Sequence, residues 1–296
     1  MRKGIIFALI TALISGFSIF YNKLIIVKGI DPLVFNIVKN GGTAFILSLL
    51  LLHAPKVNKL KSLSINQWKK LLIIGAVGGS VPFILYFEGL RTVAATNANL
   101  IHKTLFLWVA AMAVPILGEK LNIWQIAGYL LVAWSNLFIG GLSGFSGSIG
   151  EYMILAATIF WGMENIIAKI ALKDIDSHIV AWGRMFIGSL ILVSVAFFEN
   201  KLSLITKLSA DQILPILGSI LLLCGYVITW YKALKFAPAT VVTSVLILST
   251  PITNVLTAIF INHAFLPQPQ FINLIFTILG LTFIIRFLPA LILKWT

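Results

Sequence analysis

The sequence predicts an all-α integral membrane protein, with ten transmembrane helices arranged as two inverted five-helix repeats. Three observations predict it. The 296 residues are 59% apolar and only 10% charged, against about 45–50% and about 25% in soluble domains, and no single globular core absorbs that excess. Ten apolar segments reach the roughly 20 residues that a helix needs to cross a bilayer. The two halves of the chain echo one another at a shift of about 144–146 residues.

The spans fall at about 4–27, 32–53, 67–90, 94–117 and 122–140, then at about 149–172, 177–198, 211–236, 239–262 and 268–289. The first follows Arg2-Lys3 like a secretory signal. Its apolar run exceeds an h-region of about 7–15 residues, so it reads as an uncleaved span. Turn chemistry separates the spans at Gly29-Ile30-Asp31-Pro32, Gly118-Glu119, 140–150 and Pro267-Gln268-Pro269. Gly75, Gly78, Gly79 and Pro82 give the third span a small, bendable face, and Pro115, Pro215 and Pro251 mark kinks. The repeats occupy 1–145 and 146–296, which leaves no segment for a soluble domain. No GxxxxGK[ST] loop is present, which argues against an ATP-driven pump on this chain. Cys224 is the only cysteine, so an intrachain disulfide and a cysteine-based metal site are excluded. Nothing calls for a cofactor or a metal.

The net charge of +13 is read against topology first. With the N terminus cytoplasmic, thirteen Lys and Arg fall on the inner side and four (Lys28, Arg91, Lys201, Lys207) on the outer side. Cytoplasmic loops are enriched in Lys and Arg. The expectation is a multi-pass cell-membrane protein with both termini cytoplasmic. Most of the charge is thereby topology signal, which removes the case for a nucleic-acid partner.

The repeat is visible in several pieces. Tyr86-Phe87-Glu88-Gly89-Leu90-Arg91 recurs as Trp230-Tyr231-Lys232-Ala233-Leu234-Lys235, Ala95-Thr96 as Ala239-Thr240, and Ile30-Asp31 as Ile175-Asp176. Five cations lie within spans, and four obey the repeat: Lys23 maps to Lys169, and Lys39 to Arg184. Five spans per half is an odd number, so the halves insert upside down. That places Lys23 and Lys39 roughly 7–11 Å from one face, and Lys169 and Arg184 similarly far from the other, at about 1.5 Å per residue. They form matched basic rims. Lys103 stands alone, opposite Ile247. Inverted repeats with a midplane site are a recurrent plan of secondary transporters.

These features resemble the drug/metabolite transporter superfamily, in particular its ten-helix EamA-type members. The resemblance rests on the two five-helix halves and on a fourth helix ANLIHKTLFLWVAAMAVPILGEKL that ends in Gly118-Glu119. Gln125 and Gly128 follow in the fifth helix, with the second-half pieces ALKFAPATVVTSVLILSTPITNVL and Gln270 through Gly280. It spans essentially the whole chain. It departs where Asn262-His263 replaces a second Gly-Glu turn, and in the charge of Lys103. The resemblance implies transport of amino acids, sugar phosphates, nucleotide sugars or amphipathic drugs, with no single substrate.

The candidate site residues follow from charge buried in spans. A lysine deep in a spanning helix costs roughly 2.5–3.5 kcal/mol on insertion scales. Lys103 lies on a stripe with Thr96 and Asn99, and such a stripe belongs on a cavity or, alternatively, on a buried pair with Glu164. His102, turned about 100° from Lys103, is a proton-relay candidate or a packed histidine. Glu164, beside Asn165, is a counter-ion or proton-site candidate. Lys23, Lys39, Lys169 and Arg184 either snorkel to the nearer interface or guide substrate. Arg184 in addition has the bidentate geometry for a carboxylate or phosphate. Trp161 and Trp182 flank this region as pocket walls or as packing.

The leading expectation is a secondary transporter working by alternating access. Five cations against one deep acid make the cavity positive, so its substrate is a small anionic or zwitterionic metabolite: an amino acid, organic acid or phosphorylated compound. The other expected partners are the lipid bilayer and a coupling proton or ion, with the chain a monomer or homodimer. A broad amphipathic drug exporter of the same fold is the alternative. A membrane-embedded lipid enzyme is the remote one, because no HExxH and no acidic pair occurs inside the spans.

Overall fold

The computed structural model describes residues 1–26, 29–52, 56–93, 95–137 and 146–286, and every regular element among them is a helix. Lys28, His53, Lys294 and the expected boundary between the halves, at 145/146, fall on or against the residues outside that description.

The first half runs α1 (Arg2–Ile26), α2 (Pro32–Leu52), α3 (Lys56–Lys61), α4 (Ile65–Gly79), α5 (Val81–Leu90), α6 (Ala95–Lys103), α7 (Leu105–Leu117) and α8 (Ile123–Leu137). The second runs α9 (Ile149–Ala171), α10 (Ser177–Phe198), α11 (Ser203–Thr206), α12 (Ala210–Phe236), α13 (Ala239–Leu246), α14 (Ser249–Phe260) and α15 (Gln268–Arg286). The third span is α4 with α5, the fourth α6 with α7, and the ninth α13 with α14. This makes ten spans; nine are long and apolar enough to cross a membrane within the described residues, and α8 is the shorter fifth.

The repeat is written into the helix caps. Asp31 Oδ1 accepts from Leu33 N at 2.8 Å, and Asp176 Oδ1 accepts from His178 N at 2.9 Å. Ser64 N donates to Gln67 Oε1 at 2.9 Å, and Ser209 N to Gln212 Oε1 at 3.1 Å. Each satisfies backbone donors that a helix start leaves unpaired, worth about 1 kcal/mol apiece. The packing repeats too. α1 against α12 is matched by α9 against α4 and α5, and α1 against α13 and α14 by α9 against α6 and α7. α2 packs on α10, and α8 on α15, as self-related pairs. In the α8–α15 pair Asn273 Nδ2 donates to Ser135 O at 2.8 Å and Gly128 lies against Gly280.

The glycine face of the third span serves close packing. A Cβ on Gly79 would stand 2.5 Å from Arg184 O and 2.9 Å from Gly188 Cα. Gly79→Ala is expected to cost about 1–3 kcal/mol by forcing α4 from α10, read as a lowered Tm of the purified protein. Gly41→Ala, where nothing lies within 4 Å of the added carbon, is the matched control. One residue later, Ser80 (φ −140°, ψ −68°) breaks the span between α4 and α5.

With an even number of spans, the start of α1 and the end of α15 lie on one side, called here the terminus side. The opposite, far side carries a surface network in which Lys201 Nζ lies 2.7 Å from Glu199 and 3.8 Å from Asp31. The hydrogen bond to Glu199 holds the Lys201 ammonium above its ordinary range, with Asp31 adding to it.

Candidate functional site

A cavity of about 260 Å³ lies between the two halves. The fourth span supplies one wall because it is broken there: α6 ends at Lys103, and Thr104 Oγ1 donates back to Ile101 O at 2.7 Å instead of the helix running on. The ninth span breaks at the related place, Ile247-Leu248, and Ile247 lines the same cavity. The residue without a cationic counterpart and its apolar counterpart thus sit at two facing helix breaks.

The structure brings Asn99, His102, Lys103, Trp161, Glu164, Asn165 and Arg184 to this cavity. Trp161, Glu164 and Asn165 are one helical face of α9 at i, i+3 and i+4 spacing. Glu164 is 1% exposed and accepts from Tyr231 Oη at 2.5 Å. Arg184 Nη2 and Trp161 Nε1 both donate to Gly78 O, each at 3.2 Å. The Arg184 guanidinium lies within electrostatic reach of Tyr231, Glu164 and Tyr226, whereas the ion pairs shorter than 4.0 Å among the described residues all lie at the two surfaces. Glu164 is therefore bonded by Tyr231, and neither Arg184 nor Lys103 forms an ion pair with it among the described residues. His102 packs edge-on against Trp161, with ring centroids 4.8 Å apart.

What remains unpaired is the informative part. Lys103 has no hydrogen bond and no ion pair among the described residues. His102 Nδ1, Asn165 Oδ1 and Arg184 Nε are buried without a partner. Each such group costs on the order of 1–3 kcal/mol, and orphans of this kind are few in folded proteins. Of the eight orphan atoms among the described residues these three belong to side chains of the cavity wall, but it is the ammonium of Lys103 that leaves the cavity with an unanswered charge.

Four other candidates lie outside it. Trp182 is two residues from Arg184, about 200° around α10; its Nε1 donates to Ser48 Oγ at 2.8 Å and its ring stacks on Phe186. Lys39 is on α2, which contributes nothing to the cavity, and its Nζ sits 4.7 Å over the Phe35 ring. Lys169 turns to backbone carbonyls at the end of α12. Lys23 is exposed at the end of α1. The side chain of Thr96 lies outside the described residues. Sequence reasoning missed Tyr226 as a wall and singled out neither Trp230 nor Tyr231 as a site residue. The signal for them was spacing: Tyr226 and Trp230 are i, i+4 on α12, and their rings stack at 5.9 Å.

Inverted halves enclosing a charged midplane cavity are a plan of membrane transporters. The chain belongs to the EamA-like transporter family, which matches residues 2–141 and again residues 148–286, one match in each half. It is similar to the "Uncharacterized transporter YoaV" of Bacillus subtilis, at 27% identity over 47% of this chain and 50% of that protein, so that alignment spans half of the relative. An "Uncharacterized transporter" of Clostridium kluyveri is 22% identical over 95% of this chain and 92% of its own. One of Archaeoglobus fulgidus is 27% identical over 71% and 72%. A solved structure titled "Crystal structure of protein" superposes with a TM-score of 0.80 at 12% identity, covering 98% of this chain and 99% of that one, which shows a shared fold. The protein is a multi-pass membrane protein of a transporter family.

Proposed function

We propose that the protein is a secondary transporter of the cell membrane that moves a small anionic or zwitterionic metabolite by alternating access. The observation that carries this reading is the unpaired ammonium of Lys103 on the cavity wall. Lys103 and Arg184 against Glu164 leave the lining with a net positive charge, and low-dielectric walls amplify that field. Lys103 takes the anionic group of the substrate. Arg184 lines the same cavity, and its guanidinium fork suits the same group. A zwitterion places its cationic group toward Glu164. The basic excess on the terminus side puts both termini in the cytoplasm.

The test is a thermal-shift screen of the purified protein against anionic, zwitterionic and cationic metabolites. A ligand of the folded state raises apparent stability by mass action, about 2.7 kcal/mol at a hundredfold excess over Kd. Acidic or zwitterionic compounds are expected to raise Tm and cationic ones to leave it unchanged. The aromatic walls, Trp161, Tyr226 and Trp230, favour one second reading, an exporter of amphipathic solutes. Stabilisation by hydrophobic cations alone would select it.

A further inference from the structure

One helical turn beyond Thr243, a cavity-lining residue of α13, the chain makes an elbow. α12 ends at Phe236 and α13 begins at Ala239. Two charged side chains from outside both helices grip this turn. Lys169, in the last turn of α9, donates from Nζ to the carbonyls of Leu234 and Ala237. Glu119, just beyond α7, accepts from Ala239 N at 2.6 Å, Thr240 N at 3.0 Å and Thr240 Oγ1 at 2.6 Å. Helix ends leave such carbonyls and N–H groups without intrahelical partners. A cation suits the negative C-terminal end of a helix and an anion the positive N-terminal end, and here both meet at one turn. Tyr129 of α8 adds a bond from Oη to Thr240 O at 2.7 Å.

The clamp ties α7 and α8 of the first half to α13 of the second, at the terminus side. Thr243 and Trp230, which line the cavity next to it, are each 2% exposed, whereas Asn99, toward the far side, is exposed. The cavity is shut at the clamp and reaches outward at the other end.

The inverted repeat places the same elbow on the far side, between α5 and α6. Lys23 stands for Lys169, and Leu90 and Val93 stand for Leu234 and Ala237. There the grip is absent: Lys23 is exposed and makes no hydrogen bond or ion pair among the described residues. The position related to Glu119 is His263, exposed and at φ 46°.

We propose that these are alternating elbow clamps. Lys169 and Glu119 lock the α12–α13 elbow while the terminus side is closed, and Lys23 locks onto the Leu90 and Val93 carbonyls when the far side closes. Glu119 has no acidic counterpart, so the terminus-side clamp is the stronger and the far-open state is the resting one. The inference rests on the alternating-access reading and reassigns Lys23 and Lys169 from substrate guides to gate residues.

Pulsed electron resonance distances in the full chain in nanodiscs, on a Cys224→Ser background, test it. One spin-label pair at Lys120→Cys and Lys235→Cys reports the terminus side, and a pair at Arg91→Cys and Asn262→Cys reports the far side. The unmodified clamp gives a short terminus-side distance and a long far-side one. Glu119→Ala and Lys169→Ala are each expected to raise the ratio of terminus-open to terminus-closed molecules roughly tenfold, with the far-side distance shortening in step. Glu119→Gln keeps the shape and loses the charge, and gives an intermediate shift should the alanine variant not fold. Adding Lys23→Ala to Glu119→Ala reverses the shift. Unchanged distances in Glu119→Gln and Lys169→Ala overturn the proposal, as does lengthening on both sides together. Distances that respond in a protein stabilised by no metabolite would overturn the transport reading and leave the clamp standing.

Discussion

Replacing Lys103 with methionine is expected to raise the Tm of the ligand-free protein and, in the same variant, to weaken binding of an anionic metabolite about 30-fold or more. Both effects have one cause. An unpaired ammonium inside a spanning helix costs roughly 2.5–3.5 kcal/mol, and no acid among the described residues forms an ion pair with it: Glu164 accepts from Tyr231 instead. Methionine fills similar volume without the charge, so the empty protein gains. With ligand bound, the lysine faces an opposite charge, and truncating one partner of such a buried pair costs about 2 kcal/mol or more, which is about 30-fold. The measurement is a pair of melting curves, with and without the best ligand from the screen. A purely structural lysine would lose Tm on substitution and change ligand response little. Lys103→Arg keeps the charge and retains most of the response.

Arg184→Ala is expected to produce the largest loss of stability, about 3–5 kcal/mol, because it removes a large buried side chain, its bond to Gly78 O and the positive field acting on the buried Glu164. Glu164 would keep one bond, from Tyr231, and Gly78 O would lose one of its two donors. The double variant Arg184→Ala with Glu164→Gln should recover part of that loss, and the cycle of four proteins isolates their coupling. Additive effects would show that the two side chains act independently. Tyr231→Phe should cost less, on the order of 1–3 kcal/mol, as one acceptor loses its donor. The exposed Lys70–Asp174 pair, 2.9 Å apart with side chains 31% and 44% exposed, is the contrast: Lys70→Ala is expected to cost no more than about 1 kcal/mol.

The spans, the two halves and the fourth helix as the odd one were legible in the residues. So was the stripe of Asn99 and Lys103, and the face of Trp161, Glu164 and Asn165. These are local quantities: a span needs only its own apolar run, and a helical face only its own spacing. The repeat reached further than expected, since it also related Asp31 to Asp176 as caps and Ser64 to Ser209 as capping-box residues.

Partner choice was not legible. Trp182 was grouped with Arg184 because they are two residues apart, yet that spacing turns them to opposite sides of α10, and only the position of α2 shows that Trp182 meets Ser48. Lys169 was read as a substrate guide because it is a cation near one face; the carbonyls it reaches, at Leu234 and Ala237, are 65 and 68 residues away in sequence. Glu119 was noted only as a turn residue, and its partners on α13 are 120 residues distant.

The sequence by itself determined that the chain is built of apolar spanning segments in two repeated halves and that one lysine within a span has no counterpart in the other half, because insertion free energy is summed over each segment's own residues. Only the tertiary structure decided which charges face the cavity and which bind the α12–α13 turn. That choice depends on how each helix is rotated and where it breaks, and rotation is set by packing between segments far apart in the chain.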